Sequence, residues 1–376
     1  MACEIRRTIR RFVLTAILFL PLVSSAAADP IVVGQAIDLS SPNADIGRDY
    51  VAGIKTYFDA LNAAGGIGGR PVRFITRDDQ GKPEVAAKEV SELIERDRID
   101  YLIGGVGEAS MQAIINAPAF GRSNLTLFAP LAAANGQPSP RVLFWRPSYQ
   151  QEIRYLLAHF DRLGARTIGI AYQESPTNRE AYNGLLAVIR ERGIAVTGTA
   201  RLAGDGRPNE MEIRRLAGSK PGFVMVIADT ISTGLFLKEF RKYESQTFVA
   251  STSLINLATL REVAGPKAIE WTVFSQVVPN PAGSGSMIQS EHLKMMRKFR
   301  DESVSSLTLE GFAVAKGLAK AIELARPGSR NALQDLMARK GEVDLGGLYL
   351  VSSASTGHLS PYLDIALFRK ATGLLF

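Results

Sequence analysis

Short apolar, β-branched runs that alternate with helical periods restrict this chain to an α/β architecture. The predicted strands are Ile31–Ile37, Val72–Thr76, Tyr101–Gly104, Thr126–Phe128, Thr167–Tyr172, Phe223–Ile227 and Phe248–Ala250. Between them the apolar spacing changes to that of a helix, as in Asp49–Asn62, where Val51, Ile54, Phe58 and Leu61 form one stripe. Glu84–Arg96 repeats the scheme with Val90, Leu93 and Ile94. Continuous apolar strands separated by helices imply parallel strands buried on both faces. Two such series follow each other, one ending near Pro147 and one running from Tyr149 to about Trp271. The expected fold is therefore a two-lobed α/β protein. Beyond a Pro-, Gly- and Ser-rich stretch, Val277–Ser286, helices are predicted over Gln289–Asp301, Thr308–Leu324 and Arg330–Lys340. A β-rich section, Gly347–Ser352 and Tyr362–Phe368, follows them.

The start of the chain sets the compartment. Arg6, Arg7, Arg10 and Arg11 precede the apolar run Phe12–Val23, and Ala26-Ala27-Ala28 has the small-residue pattern of a cleavage site. The run is too short to span a bilayer, which takes about 20 residues. Residues 1–28 read as a secretory signal cut after Ala28, which predicts a periplasmic protein. The remaining length, about 350 of 376 residues, is enough for two domains. Cys3, the one cysteine, lies in the leader, so neither a disulfide nor a lipid anchor is expected. Removing four arginines and Glu4 with the leader takes the net charge from +7 to +4. No basic block survives; Leu293–Arg300 comes nearest, but its apolar residues recur at helical spacing, so nucleic acid is not an expected partner.

Open α/β sheets bind ligands beyond the carboxyl ends of their strands. In the first series those loops carry Ser40, then Glu108, Ala109 and Ser110, then Leu131 and Ala132; in the second they carry Glu174, Asp229, Thr230 and Ser253. The turn from Gly104 to Ser110 leads from a strand into a helix, where free backbone N–H groups favour an anion. It half-resembles a dinucleotide fingerprint, but Ser110 occupies the third glycine position and no acidic ribose partner follows. Two readings stand for several of these residues. Glu108 either meets ligand or caps its own helix, and Asp229 either meets ligand or caps Thr230–Tyr243. Tyr182 either walls the cleft or packs in a core. Arg146 and Tyr149 flank Pro147, where one series gives way to the other, at hinge positions.

Catalytic patterns are missing. His159, His292 and His358 are dispersed without metal-ligand spacing, no Gly-x-Ser-x-Gly elbow occurs, and no Gly-x4-Gly-Lys phosphate loop occurs. The reading is a binding protein rather than an enzyme, with no cofactor.

A family resemblance follows from the order and spacing of several segments. Ile31-Val32-Val33-Gly34, the Asp38–Pro42 loop, Ile46-Gly47 and Leu61–Arg70 resemble the opening of type I periplasmic solute-binding proteins, the Leu/Ile/Val-binding family. Asp78-Asp79, Tyr101–Gly104, Phe128-Ala129-Pro130 and Leu309–Phe312 are similar to further landmarks of that family. The resemblance implies an α/β fold of two Rossmann-like lobes joined by a three-crossover hinge with the ligand cleft between them, a small-molecule ligand closed in by hinge rotation, delivery to an ABC permease of the inner membrane, and a monomer. Carried onto this chain, it places the crossings near Arg146–Tyr149, Gln276–Pro279 and Leu348–Ser352, which adds Gln276 to the hinge positions. Lobe 1 then comprises residues 29–147 with 279–348, and lobe 2 comprises 148–278 with 349–376. It also makes the Ser110 turn a carboxylate-holding loop. The chain departs from amino-acid binders at three points. Ala132-Ala133-Ala134 replaces the hydroxyl after the Ala-Pro turn, Ser253 stands where an acid meets a ligand ammonium, and the acidic-Tyr-Gly motif is stretched into Glu174…Tyr182-Asn183-Gly184. The expected ligand is accordingly a small amino acid, amide or related carboxylate. A ligand-sensing subunit for a membrane receptor is an alternative role. An exported hydrolase using His358 is a more distant one.

Overall fold

The computed structural model describes residues 29–132, 139–325, 329, 331–351, 357–371 and 373–376. The leader, Ala133, Ala134, Arg330 and Ser352 lie outside the described residues. The first sheet holds β1 (Ile31–Ile37), β2 (Val72–Asp78), β3 (Tyr101–Ile103), β4 (Leu127–Phe128) and β5 (Val142–Leu143) in the order β2-β1-β3-β4-β5, all parallel. The second is built from β6 (Thr167–Gln173), β7 (Ala195–Leu202), β8 (Phe223–Ile227), β9 (Phe248–Ser251) and β10 (Thr272–Gln276), also parallel. A short antiparallel pair, β11 (Glu342–Asp344) and β12 (Tyr349–Val351), stands apart. Two final strands, β13 (Asp364–Arg369) and β14 (Gly373–Leu375), extend the second sheet antiparallel at β10, giving β14-β13-β10-β9-β8-β6-β7.

Thirteen helices connect these strands among the described residues: α1 (Asp45–Ala63), α2 (Pro83–Glu95), α3 (Glu108–Asn116), α4 (Pro118–Arg122), α5 (Tyr149–Arg162), α6 (Pro176–Arg192), α7 (Glu210–Gly218), α8 (Thr230–Phe240), α9 (Leu257–Ala264), α10 (Pro266–Ile269), α11 (Met287–Phe299), α12 (Ser306–Leu324) and α13 (Ala332–Lys340). None of them is long and apolar enough to cross a membrane.

Period-two alternation explains why both sheets carry helices on both faces. Ile31, Val33 and Ile37 enter one core while Val32 and Ala36 enter another. Likewise Val224 and Val226 face one side of the second sheet, and Phe223, Met225 and Ile227 the other. The helices after the Pro-rich stretch return to the first sheet. Phe312, Ala313 and Leu318 of α12 and Leu333 and Leu336 of α13 share the core of Val33 and Ile54.

Helices α1 and α12 meet backbone to backbone. A Cβ on Gly53 would lie 2.0 Å from the Thr308 carbonyl oxygen, and one on Gly311 would lie 2.1 Å from that of Tyr50. Only glycine permits this approach from both sides.

Three passages link the two sheets. Phe144–Arg146 follows β5, Val277 and Val278 follow β10, and the chain from Gly357 to Ser360 runs beside the first passage. The Phe144 N–H donates to the Gly357 carbonyl at 2.9 Å, the Leu359 N–H to that of Phe144 at 3.0 Å, and the Ser360 N–H to that of Trp145 at 2.8 Å. The third passage falls later than expected. Tyr349–Val351 pairs with β11, and Leu350 and Leu359 pack in the first core, so the chain returns to the second sheet after Ser360 rather than at residue 349. The apolar side of β12 needs the core of α12, and that contact overrides the boundary read from sequence.

Candidate functional site

The strand-end loops of the two sheets meet. Asp45 and Asp49, in the first turns of α1, reach across to α9. Asp49 accepts from Asn256 Nδ2 at 3.2 Å, and Asp45 accepts from the Thr259 hydroxyl. Asp49 also accepts from Ser305 Oγ at 2.7 Å, which joins the start of α12 to the same contact. Farther along, the Tyr149 hydroxyl bonds Thr252 and feels the charges of Glu152, Arg146 and Glu108. Burial together with Glu152 raises that phenol to about 12. Glu108 at the start of α3 faces Glu180 of α6; burial, then the Glu180 carboxylate, raise its pKa.

A buried polar cluster underlies this meeting. Arg146 and Glu310, 1% and 2% exposed, form a bidentate pair, Nε to Oε1 at 3.0 Å and Nη2 to Oε2 at 2.7 Å. Burial opposes the Arg146 charge, but Glu310 outweighs it and raises the guanidinium pKa. Glu152, fully buried, accepts from the Ser253 N–H at 2.8 Å and from Ser275 Oγ at 2.6 Å. Several atoms here have no protein partner: Glu152 Oε1, Glu108 Oε2, Ser253 Oγ, Arg146 Nη1 and Trp145 Nε1. Buried polar atoms are rarely left in that condition unless water or ligand completes them.

A cavity of about 420 Å³ opens next to this cluster and touches both lobes. Asp49, Ser305 and Leu307 line it from the first, and Ser253, Asn256 and Phe274 from the second. That volume falls in the range of small-ligand sites.

The sequence-predicted residues divide into two groups. Glu108, Tyr149, Ser253, Arg146 and Gln276 lie where the lobes meet; Gln276 lines the cavity with Ser253 and accepts from Ser306 Oγ at 2.6 Å. Ser110, 4% exposed, stands two residues along α3 from Glu108, while Ala109 between them is exposed. The others make contacts within their own lobes. Leu131 and Ala132, expected on the cleft, are 1% and 2% exposed and belong to the first-lobe cores, since the Leu131 backbone continues the sheet by bonding Gly105 and Gly107. Asp229 caps α8 by accepting from the Ser232 N–H at 2.8 Å and also accepts from Gln173 Nε2 at 2.9 Å. Thr230 is buried and accepts from the Asn256 N–H. Tyr182 stacks on Tyr172, centroids 4.4 Å apart, and Glu174 is exposed beside Arg179 and Arg201. Ser40 is spent on Asp78. His358, the base a hydrolase would require, is part of the hinge, stacked on Phe144 with its Nδ1 2.6 Å from the Arg146 carbonyl oxygen.

Sequence reasoning missed Asp49, Glu152, Asn256 and Ser305. Asn256 and Ser305 carried a signal as helix N-caps, and both do cap, accepting from the Thr259 and Thr308 N–H groups. Asp38, Asp78 and Asp79 bring one carboxylate oxygen each within 4.8 Å of one another, the one grouping among the described residues able to offer three such atoms to a metal. Asp38 and Asp78 use oxygens on the N–H groups of Ser41 and Leu39, so the trio ties loops together.

Two α/β lobes, joined by three adjacent passages and meeting at their strand ends beside a largely apolar cavity edged by Asp49, Ser253 and Asn256, define the two-lobed architecture of a binding protein. A family model described as periplasmic binding protein matches residues 30–369, and the chain belongs to that family, in its type I form. An extracellular ligand-binding receptor from Verminephrobacter eiseniae is similar over 92% of this chain and 100% of its own, with TM-score 0.85 and 21% identity. A substrate-binding periplasmic protein from Ralstonia solanacearum gives TM-score 0.82 and 26% identity over 92% and 99%. LivJ of Streptococcus pneumoniae in complex with isoleucine shares the fold at TM-score 0.78 and 14% identity, over 92% and 99%. Among curated sequences, an amino acid binding protein of Pseudomonas aeruginosa is 29% identical over 82 residues, and the match spans only 22% of each protein.

Proposed function

We propose that this chain is the periplasmic receptor of an ABC importer. It captures a small polar solute between its lobes by hinge closure and hands it, chemically unchanged, to a membrane permease. The observation that carries this reading is the set of unpartnered buried polar atoms, Glu152 Oε1, Ser253 Oγ and Glu108 Oε2, at a junction both lobes build. A rigid domain interface gains nothing from such atoms, whereas a solute that completes them stabilises the closed form alone. Ligand then shifts an existing open–closed equilibrium by its differential affinity. Secretion through the leader and action as a monomer belong to the same reading.

The test is small-angle scattering on the mature protein with and without the solute recovered from it by mass spectrometry. A smaller radius of gyration on addition supports the clamp. An unchanged profile despite saturating binding rules it out.

A further inference from the structure

A small polar solute leaves the cavity of about 420 Å³ between the lobes unexplained. None of Glu108, Ser110, Tyr149 and Tyr182 lines it. Its wall is largely apolar and comes from both lobes, with Leu307 at the start of α12 on one side and Leu257, Phe274 and Leu374 on the other. A contiguous apolar wall of this kind marks a ligand groove, since water gains little there and an apolar body gains much.

The wall carries one charge of each sign, and the two differ in what they already meet. Asp49 accepts from Asn256 Nδ2 at 3.2 Å and from Ser305 Oγ at 2.7 Å, so an ammonium group on an occupant would have to displace them. The Arg261 guanidinium forms no ion pair or hydrogen bond among the described residues and stands 5.9 Å from the centre of the Phe368 ring. It lies one turn along α9 from Leu257, on the same helix face, so its donors edge the apolar wall. Arg261 is exposed, and an exposed guanidinium can take a carboxylate as a forked pair without first being stripped of a protein partner. No other lysine or arginine lines the cavity among the described residues, so a second carboxylate would go uncompensated. Ser253, whose Oγ has no protein partner, adds one more hydrogen-bonding atom to the wall. We infer that this cavity is a second ligand site, apart from the strand-end turn, for a monocarboxylate with an aliphatic or aromatic body and no amino group. The body packs against Leu257, Phe274 and Leu307, and the carboxylate meets Arg261.

The experiment is calorimetric titration of the mature protein, after unfolding and refolding to remove bound molecules, with butanoate, hexanoate, octanoate, 4-phenylbutanoate, hexanol, L-leucine and succinate. Affinity should climb about fourfold for each methylene added to the acid until the cavity is full. Hexanoate should bind more tightly than hexanol, leucine or succinate. Arg261→Gln, at an exposed position, should weaken hexanoate about 3- to 5-fold, the effect of an exposed charge pair, and leave hexanol unchanged. Ala258 is exposed on the same wall, so Ala258→Phe should fold, narrow the cavity and weaken octanoate most of all. The inference is overturned if no member of the acid series binds, if leucine or succinate binds better than hexanoate, or if affinity is indifferent to chain length. It is equally overturned if Ala258→Phe leaves octanoate affinity unchanged, or if Arg261→Gln affects hexanol and hexanoate alike. The site does not require the solute reading: the scattering test can end the clamp while these acids still bind, and the reverse holds too.

Discussion

Replacing Glu310 by Gln isolates the contribution of the hinge ion pair. The pair lies 1% and 2% exposed with contacts at 3.0 and 2.7 Å, so water cannot compensate for a lost charge. Glutamine keeps the volume of Glu310 but leaves the Arg146 guanidinium charged. Glu152, the other carboxylate that acts on it, already accepts from the Ser253 N–H and the Ser275 hydroxyl. Removing one partner of a buried pair costs about 3–5 kcal/mol, whereas replacing both by apolar groups of similar size is often neutral. Urea unfolding followed by tryptophan fluorescence, to which Trp145, 1% exposed beside Arg146, and Trp271 contribute, reads this cost. With a slope of about 3 kcal/mol per molar, the midpoint of Glu310→Gln should fall by about 1 M or more. The double variant Arg146→Met with Glu310→Leu should recover most of that loss. A single-variant cost below about 1 kcal/mol, or a double variant less stable than the single, would refute the reasoning.

Asn256→Asp keeps the cap on α9 but sets a second carboxylate where Asn256 Nδ2 lies 3.2 Å from Asp49; solute affinity should drop about 10-fold or more by titration, as closure now brings like charges together. Gly53→Ala drives a Cβ to 2.0 Å from the Thr308 carbonyl and should cost about 1–3 kcal/mol in urea unfolding, since neither helix backbone can yield without moving the core. His292, fully buried beside Thr308, is lowered to about 4 by burial, so the unfolded chain binds its proton more readily and stability is lost as pH falls from about 6.5 to 4. His292→Gln should remove that acid loss, read as a flatter dependence of the urea midpoint on pH. Asp79 is raised to about 6 by burial, then by Asp38 and Asp78; it works in the opposite direction and makes the fold less stable as pH rises from about 4 to 6. Asp79→Asn, which keeps an acceptor for the Gly81 N–H, should raise the midpoint at pH 7 while leaving it unchanged at pH 3.

Much of the fold was legible because the buried parallel strands are continuous apolar runs. β1 and β8 are buried at every position, and their boundaries match those read from sequence. β10, Thr272–Gln276, went unread because Thr272, Ser275 and Gln276 look polar, although all three are buried, Ser275 bonded to Glu152 and Gln276 to Ser306. β7 was missed for the reverse reason: it is an edge strand with exposed Ala195 and Val196 and lacks an apolar run. The site was less legible. Glu152 reads as a solvent-facing acid in the first turn of an amphipathic helix; only the approach of β9 and β10 buries it. Asp49 and Asn256 are 207 positions apart, and nothing local announces that contact.

The first core draws Ile31 and Leu359 into one cluster, with Phe312 and Leu350 between them. Such long closures are slow to form. Nearly the entire polypeptide must therefore emerge from whatever machinery delivers it before that half can consolidate, whereas the strands from Thr167 to Gln276 are contiguous and can settle sooner. A nascent chain with the central strands of one half assembled and the other half waiting is the outcome, and β13 and β14 complete the first of these halves only at the end.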